Sequence, residues 1–121
     1  MDLADFLRRA RGLEAIEFAE TMAVIETYYV YQPTAFSNGL AEPVQNAAGQ
    51  NEGSCKIFAF AKLHALDAPG ALNLFGAYYR RDVLLHPEGQ DHANIRRFMR
   101  DGWAGVKFEG EPLHAKAADA G

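Results

Sequence analysis

The chain has 121 residues, 49% of them apolar and 23% charged, with 12 basic against 16 acidic side chains and a net charge of −4. That length suits one domain with its own core, and the balance excludes a mostly disordered chain or one that depends on disulfides or a structural metal. An acidic surface repels a phosphate backbone, which excludes nucleic acid as a partner, and no apolar run approaches the ~20 residues that span a bilayer, which excludes a membrane.

In chain order, Asp2 reads as the N-cap of a first helix, with Leu3, Phe6, Leu7 and Ala10 at helical spacing and Gly12 as its end. Arg8, Arg9 and Arg11 suit the negative end of that helix. A second helix is expected over about 17–29, with Phe18, Thr21, Met22, Ile25 and Tyr28 on its inner face. Pro33 stops it. Residues 34–38 read as an extended piece that turns at Asn38-Gly39, a dipeptide suited to the positive φ angles of a hairpin turn. Residues 41–52 are polar and small and read as the longest loop.

A third helix is expected from an N-cap at Ser54 to about Leu66. Its apolar residues cover nearly the whole circumference, with Ile57, Phe58, Phe60, Ala61, His64 and Ala65 on one face and Ala59, Leu63 and Leu66 on the other, so it reads as the central helix of the fold. Asp67 caps a fourth helix carrying Pro69 in its first turn, with Leu72, Phe75, Tyr79 and Val83 as its inner stripe and an end near His86. Asp91 caps a fifth, bearing Ile95, Phe98 and Met99 and ending at Gly102. Residues 103–109 alternate, with Val106 and Phe108 on one side, and predict a strand pairing with the segment around Phe36. The expected fold is therefore α+β: a mostly helical single domain of about five helices with a short β-hairpin or small antiparallel sheet.

Three blocks of this sequence, PTAFSNG at 33–39, GQNEGSCKIFAFA at 49–61 and DHANIRRFMRDGWAGVKFEG at 91–110, resemble the HopJ family. The resemblance runs in order from about Phe6 to Leu113, so the domain is set at 1–114 and residues 115–121 read as a C-terminal tail. It implies a bacterial type III secreted effector that acts through protein or small-molecule contacts, and it carries no catalytic or binding residues to transfer. The single cysteine and the absence of an apolar h-region in residues 1–13 fit a reducing cytoplasm or delivery without a cleaved signal. The bacterial cytoplasm, with translocation into a host cell by a type III secretion system, is the expected location.

The candidate chemistry lies in three places. Cys55 would sit in the first turn of the third helix, where the helix dipole favours a thiolate, and a small cysteine- or histidine-dependent hydrolase or acyl-transfer enzyme would use it with His92 or His86. His64 cannot serve, because nine residues of helix, about 900°, put it on the opposite side from Cys55. His64 reads instead as a core histidine with one good partner. His86, Glu88, Asp91 and His92 lie within seven residues but match no metal motif, so no metal and no cofactor are expected. The amides Gln45, Asn46, Gln50, Asn51 and Asn94, with Ser54 and Asp91, either fix a loop or read a ligand. If the helix starts at Ser54 and Asp91 converge, Gln50, Asn51, Ser54, Asp91 and Asn94 would form a polar pocket for an anionic or amide-bearing ligand, rimmed by Arg96, Arg97 and Arg100. A protein that is never exported and binds a ligand in the cytoplasm is the remaining alternative. No reaction follows from the sequence.

Overall fold

In a computed structural model, residues 2–116 are described. The first helix, α1 (Leu3–Arg11), starts where the sequence places it, with the Asp2 carboxylate accepting from the Ala4 N–H at 3.2 Å and Gly12 at its end. Its buried face is Phe6, Leu7 and Ala10. In α2 (Phe18–Tyr28) the stripe is rotated from the expected one, because Val24 joins Thr21 and Ile25 inside while Phe18, Met22 and Tyr28 pack at the margin. The buried Thr21 hydroxyl donates to the Leu74 carbonyl at 2.9 Å, which satisfies a polar group that burial would otherwise penalise.

Two small antiparallel sheets accompany the helices. β1 (Tyr29–Tyr31) pairs with β5 (Leu113–Ala115), and neither strand was expected, since three residues give too little alternation to read. β2 (Phe36–Asn38) is the centre of the other sheet, between β3 (Val44–Asn46) and β4 (Val106–Phe108). Phe36 pairs with Phe108, as the alternation after Trp103 predicts. The connection is not the expected two-residue turn: residues 39–43 join β2 to β3, and Asn38 stays in the ladder. Three residues of the expected 41–52 loop are thus taken up by β3, and Glu52 belongs to α3.

The central helix α3 (Glu52–Leu63) begins two residues before the predicted Ser54 cap; its N-cap is Asn51, in the left-handed conformation at φ +50° and with no side-chain cap bond. Cys55 and every residue from Ile57 to Ala61 are buried, which matches the all-round apolar pattern, although Leu63 at its end is 57% exposed. The expected fourth helix is two pieces. α4 (Ala68–Asn73) is capped by the Asp67 carboxylate, which accepts from the Gly70 N–H at 2.9 Å. The helix breaks at Gly76 (φ +62°), where a Cβ would come within 2.6 Å of the Phe18 backbone nitrogen, so the backbones of α2 and this turn meet only because the residue is glycine. A π-helical turn (Tyr78–Val83) follows.

α5 (Ala93–Asp101) likewise starts from a left-handed residue, His92 at φ +51°, and not from the predicted Asp91. It buries Asn94, Ile95 and Phe98 but leaves Met99 largely exposed, and Gly102 ends it as expected. A 3-10 turn (Gly102–Gly105) leads into β4. Of the tail expected from residue 115, Ala115 pairs with Tyr29 in β5 and the Lys116 N–H donates to the Tyr28 carbonyl at 3.0 Å. Residues 117–121 of that expected tail lie outside the described residues. α3 carries the core: the Phe58 ring lies 4.8 Å from Phe98, 5.4 Å from Phe75 and 6.2 Å from both Phe36 and Trp103. With five α-helices and two small antiparallel sheets among the described residues, the fold is α+β as the sequence predicts.

Candidate functional site

α3 and α5 begin beside each other, and their first turns form the walls of a pocket of about 310 Å³. Asn51, Gly53 and Ser54 come from one helix start and His92, Ala93, Asn94 and Ile95 from the other, over an aromatic floor of Phe18, Phe75 and Tyr78. Neither left-handed N-cap returns a side chain to its helix. The first main-chain bonds of the two helices are Cys55 N–H to the Asn51 carbonyl, at 3.0 Å, and Arg96 N–H to the His92 carbonyl, at 3.1 Å. The N–H groups of Gly53, Ser54, Asn94 and Ile95 therefore have no acceptor among the described residues, and helix geometry points such groups out of the N-terminus. Two positive dipole ends and four unused donors meet at one pocket. The rings of Phe18, Tyr78 and His92 stand in sequence along it, with centroids 5.0 Å and 5.2 Å apart. Gly53 makes room for this wall, since a Cβ there would approach Phe18 Cζ to 2.9 Å.

Behind the pocket lies a seam of buried amides. Asn94 Nδ2 donates to Asn46 Oδ1 at 2.9 Å, and Asn94 Oδ1 accepts from Asn46 and Asn38 Nδ2, both at 3.2 Å. Asn38 Nδ2 also donates to the Asn94 carbonyl at 2.8 Å. Asn51 Nδ2 donates to Asn46 Oδ1 at 2.7 Å, which connects the seam to the start of α3. The seam joins β2, β3 and α5 and holds the two helix starts in register. Asn38 is 0% exposed, and its Oδ1 has no partner among the described residues. Its place was missed because Asn38-Gly39 reads as a turn; the signal available was strand alternation, which turns Asn38 the same way as the buried Phe36.

Of the sequence candidates, Asn51, Ser54, Asn94 and His92 come together at the pocket, and Gln50, Asp91 and Cys55 do not line it. Gln50 fixes its own loop, its Oε1 accepting from the Ala47 N–H at 3.0 Å, and Gln45 is exposed on β3. Asp91, predicted as a cap, is an ion-pair partner instead: Arg96 bonds its Oδ1 at 2.6 Å and holds that carboxyl below the usual carboxylate range. Cys55 is 0% exposed, and its Sγ lies 3.6 Å from the Thr34 carbonyl. Burial pushes its thiol up to about 11, and its polar neighbours Thr34, Tyr31, Glu52 and Lys56 include no histidine. A buried, protonated thiol with no base is not a nucleophile, so the cysteine-dependent reading falls.

Around His92 the predicted group is rearranged. His86 and Glu88 stay exposed, and Asp82 from the π-helical turn joins Asp91 and His92, with donor atoms of all three within 4.8 Å of one another. His92 Nε2 lies 2.9 Å from Asp82 Oδ2 and 3.8 Å from Asp91 Oδ2, so the carboxylates orient the imidazole and tie the π-helical turn to α5. The expected arginine rim is absent from the pocket. Arg96 clamps the His86 and Asp91 carbonyls, Arg97 donates to Ala41 and Glu42 carbonyls, and Arg100 pairs with Asp101.

Comparison with known proteins adds a family but no chemistry. The family model described as HopJ type III effector protein matches residues 3–113. A crystal structure of the unknown function protein VPA0580 is similar to this chain, with 54% identity and a TM-score of 0.90 over 96% of this chain and 95% of that one. No curated protein matches.

Proposed function

This chain belongs to the HopJ family, and on that premise we propose that it acts by binding a small anionic or amide-bearing ligand in the pocket between the starts of α3 and α5. The observation that carries this reading is the set of four unused N–H donors at two converging helix N-termini. A carboxylate or phosphate there would accept from main-chain donors in the field of two dipoles, without any counter-cation from the protein. An amide would be read by Asn51 and Ser54 at the mouth, and the Phe18–Tyr78 wall favours a ligand with a flat or apolar body. The test is amide NMR with acetate, phosphate and acetamide as probes. Saturable shifts at Gly53, Ser54, Asn94 and Ile95 support the reading; shifts spread over the surface, or none, refute it.

A second reading has one observation in its favour. The His92–Asp82 pair is a carboxylate-oriented imidazole at the pocket wall, the arrangement that general-base hydrolysis uses. It requires turnover as well as binding, so an ester probe that binds and is released unchanged removes it. The family description adds delivery by type III secretion, and no helix among the described residues is long and apolar enough to cross a membrane. We include translocation in the proposal, with a partner inside the host cell, and a reporter fused to the first tens of residues tests it in a strain with a working secretion system.

A further inference from the structure

Asp82, Asp91 and His92 meet from two segments, the π-helical turn and the start of α5, and one donor atom of each lies within 4.8 Å of the other two. His92 Nε2 stands 2.9 Å from Asp82 Oδ2 and 3.8 Å from Asp91 Oδ2. Donors bonded at about 2.1 Å to one small divalent cation stand roughly 3 to 3.5 Å apart, so these two separations bracket the spacing that a shared ion requires. Solvent reaches both carboxylates, while the imidazole is partly buried, so a hydrated ion has a way in and water can complete its shell.

The surroundings hold the three donors in place. Arg96 donates to the Asp82 carbonyl at 3.3 Å and to the Asp91 carbonyl at 2.7 Å, which ties the two segments together. It also takes Asp91 Oδ1, at 2.6 Å, and leaves Oδ2 as the oxygen nearer His92. Its guanidinium charge opposes a cation, and the two carboxylates outnumber it. The Tyr78 ring packs against the imidazole at 5.2 Å. One imidazole nitrogen and two carboxylate oxygens, with no thiolate, suit a borderline divalent ion such as Zn²⁺ or Mn²⁺. Three protein donors fall short of the about six to eight oxygens that Ca²⁺ takes.

We propose that Asp82 Oδ2, Asp91 Oδ2 and His92 Nε2 bind one divalent transition-metal ion, with water in the remaining positions. The site does not rest on anion binding between α3 and α5. A metal on Nε2 leaves the proton of the neutral ring on Nδ1, so it excludes the general-base role of His92. The experiment titrates zinc chloride into the full chain near neutral pH, in a buffer that does not chelate, followed by calorimetry and amide NMR. Zinc should bind one to one and shift Asp82, Asp91 and His92 saturably, Mn²⁺ should broaden the same signals, and Ca²⁺ should bind at least tenfold more weakly. Asp82→Asn keeps the side chain's shape, and His92→Asn keeps a residue type that tolerates the left-handed backbone, so each should fold and weaken zinc binding by roughly tenfold or more. His86→Gln, at an exposed histidine outside the group, should change nothing. No binding up to millimolar zinc, shifts centred on His86 or His114, equal binding of Ca²⁺, or unchanged affinity in Asp82→Asn each overturns the assignment. Acetate or phosphate shifts at Gly53 and Ser54 without zinc test the other pocket alone, so the two failures are distinguishable.

Discussion

The cluster around Phe58 and the seam around Asn94 are both buried, yet they are held by different physics. Phe58 touches Phe36, Phe75, Phe98 and Trp103, and any well-shaped apolar neighbour would serve it. Asn94 bonds Asn38 and Asn46, and only groups with matching donors and acceptors at these positions would serve it. The first region specifies that the chain collapses around α3. The second specifies how β2, β3 and α5 meet, and with them where the two helix starts stand. Losses should follow volume in the one and bonding in the other.

The largest effect is expected at Phe58, where Phe58→Ala should lower the unfolding free energy by about 4 kcal/mol in a urea or guanidinium titration, from lost transfer energy plus the cavity. Phe58→Leu should cost about 1.5 kcal/mol or less, because most of the volume is retained. In the seam the order should reverse. Asn94→Leu keeps the volume and adds apolar surface, yet should cost about 3 kcal/mol, since the Asn38 and Asn46 amides lose partners while staying buried. Asn46→Leu combined with Asn94→Leu should cost less than the sum of the two, because the second removes groups the first has orphaned. Tolerance of Asn94→Leu at well under 1 kcal/mol would erase the distinction and make the seam ordinary core.

The same difference decided what could be read in advance. Apolar spacing showed α1, the buried α3 and the pairing of β4 with Phe36, because burial leaves a period in the sequence. Hydrogen-bond partners leave none. Asn46 and Asn94 were recognisable as amides, but their bond spans 48 residues, and nothing local marks it. Two of the helix caps were misread for a related reason. Ser54 and Asp91 are favourable cap types, and the helices start instead at left-handed Asn51 and His92, whose positions are held by the seam and by Asp82. Gly76 lies inside the span of the expected fourth helix, and the close approach of α2 makes it a break. The pocket exists because of these departures: a side-chain cap at either start would have occupied the donors that remain free.

His64 lies between the two regimes, packed 4.7 Å from the Phe60 ring and hydrogen-bonded to Tyr29. Burial, then Arg11, lowers its folded pKa below the ordinary 6.5. Between those two values the unfolded chain binds the proton that the fold excludes, so stability is full above about 6.5 and falls with acidification toward the folded value. Denaturant midpoints measured from pH 8 to pH 5 should fall in the wild type. His64→Gln keeps an acceptor for Tyr29 and removes the titration, so its profile should be flatter over that window. An unchanged slope in His64→Gln would place the acid sensitivity elsewhere.

The smallest stability change should be the most discriminating. Ser54 is the third residue of α3 and lines the pocket, where the first-turn N–H groups have no acceptor. Ser54→Asp puts a carboxylate among those donors and at a positive dipole end, which should raise stability by roughly 0.5 kcal/mol. The same charge would sit where the proposed ligand's anion belongs, so acetate or phosphate shifts at Gly53 and Asn94 should disappear. Ser54→Ala removes only the hydroxyl, should leave stability within about 0.5 kcal/mol, and should retain anion binding. Gain of stability with loss of binding is a combination that a purely structural polar seam would not produce, because there the two readouts would move together. If Ser54→Asp destabilises the fold, the donors are not free, and if it leaves anion binding intact, the ligand is held elsewhere.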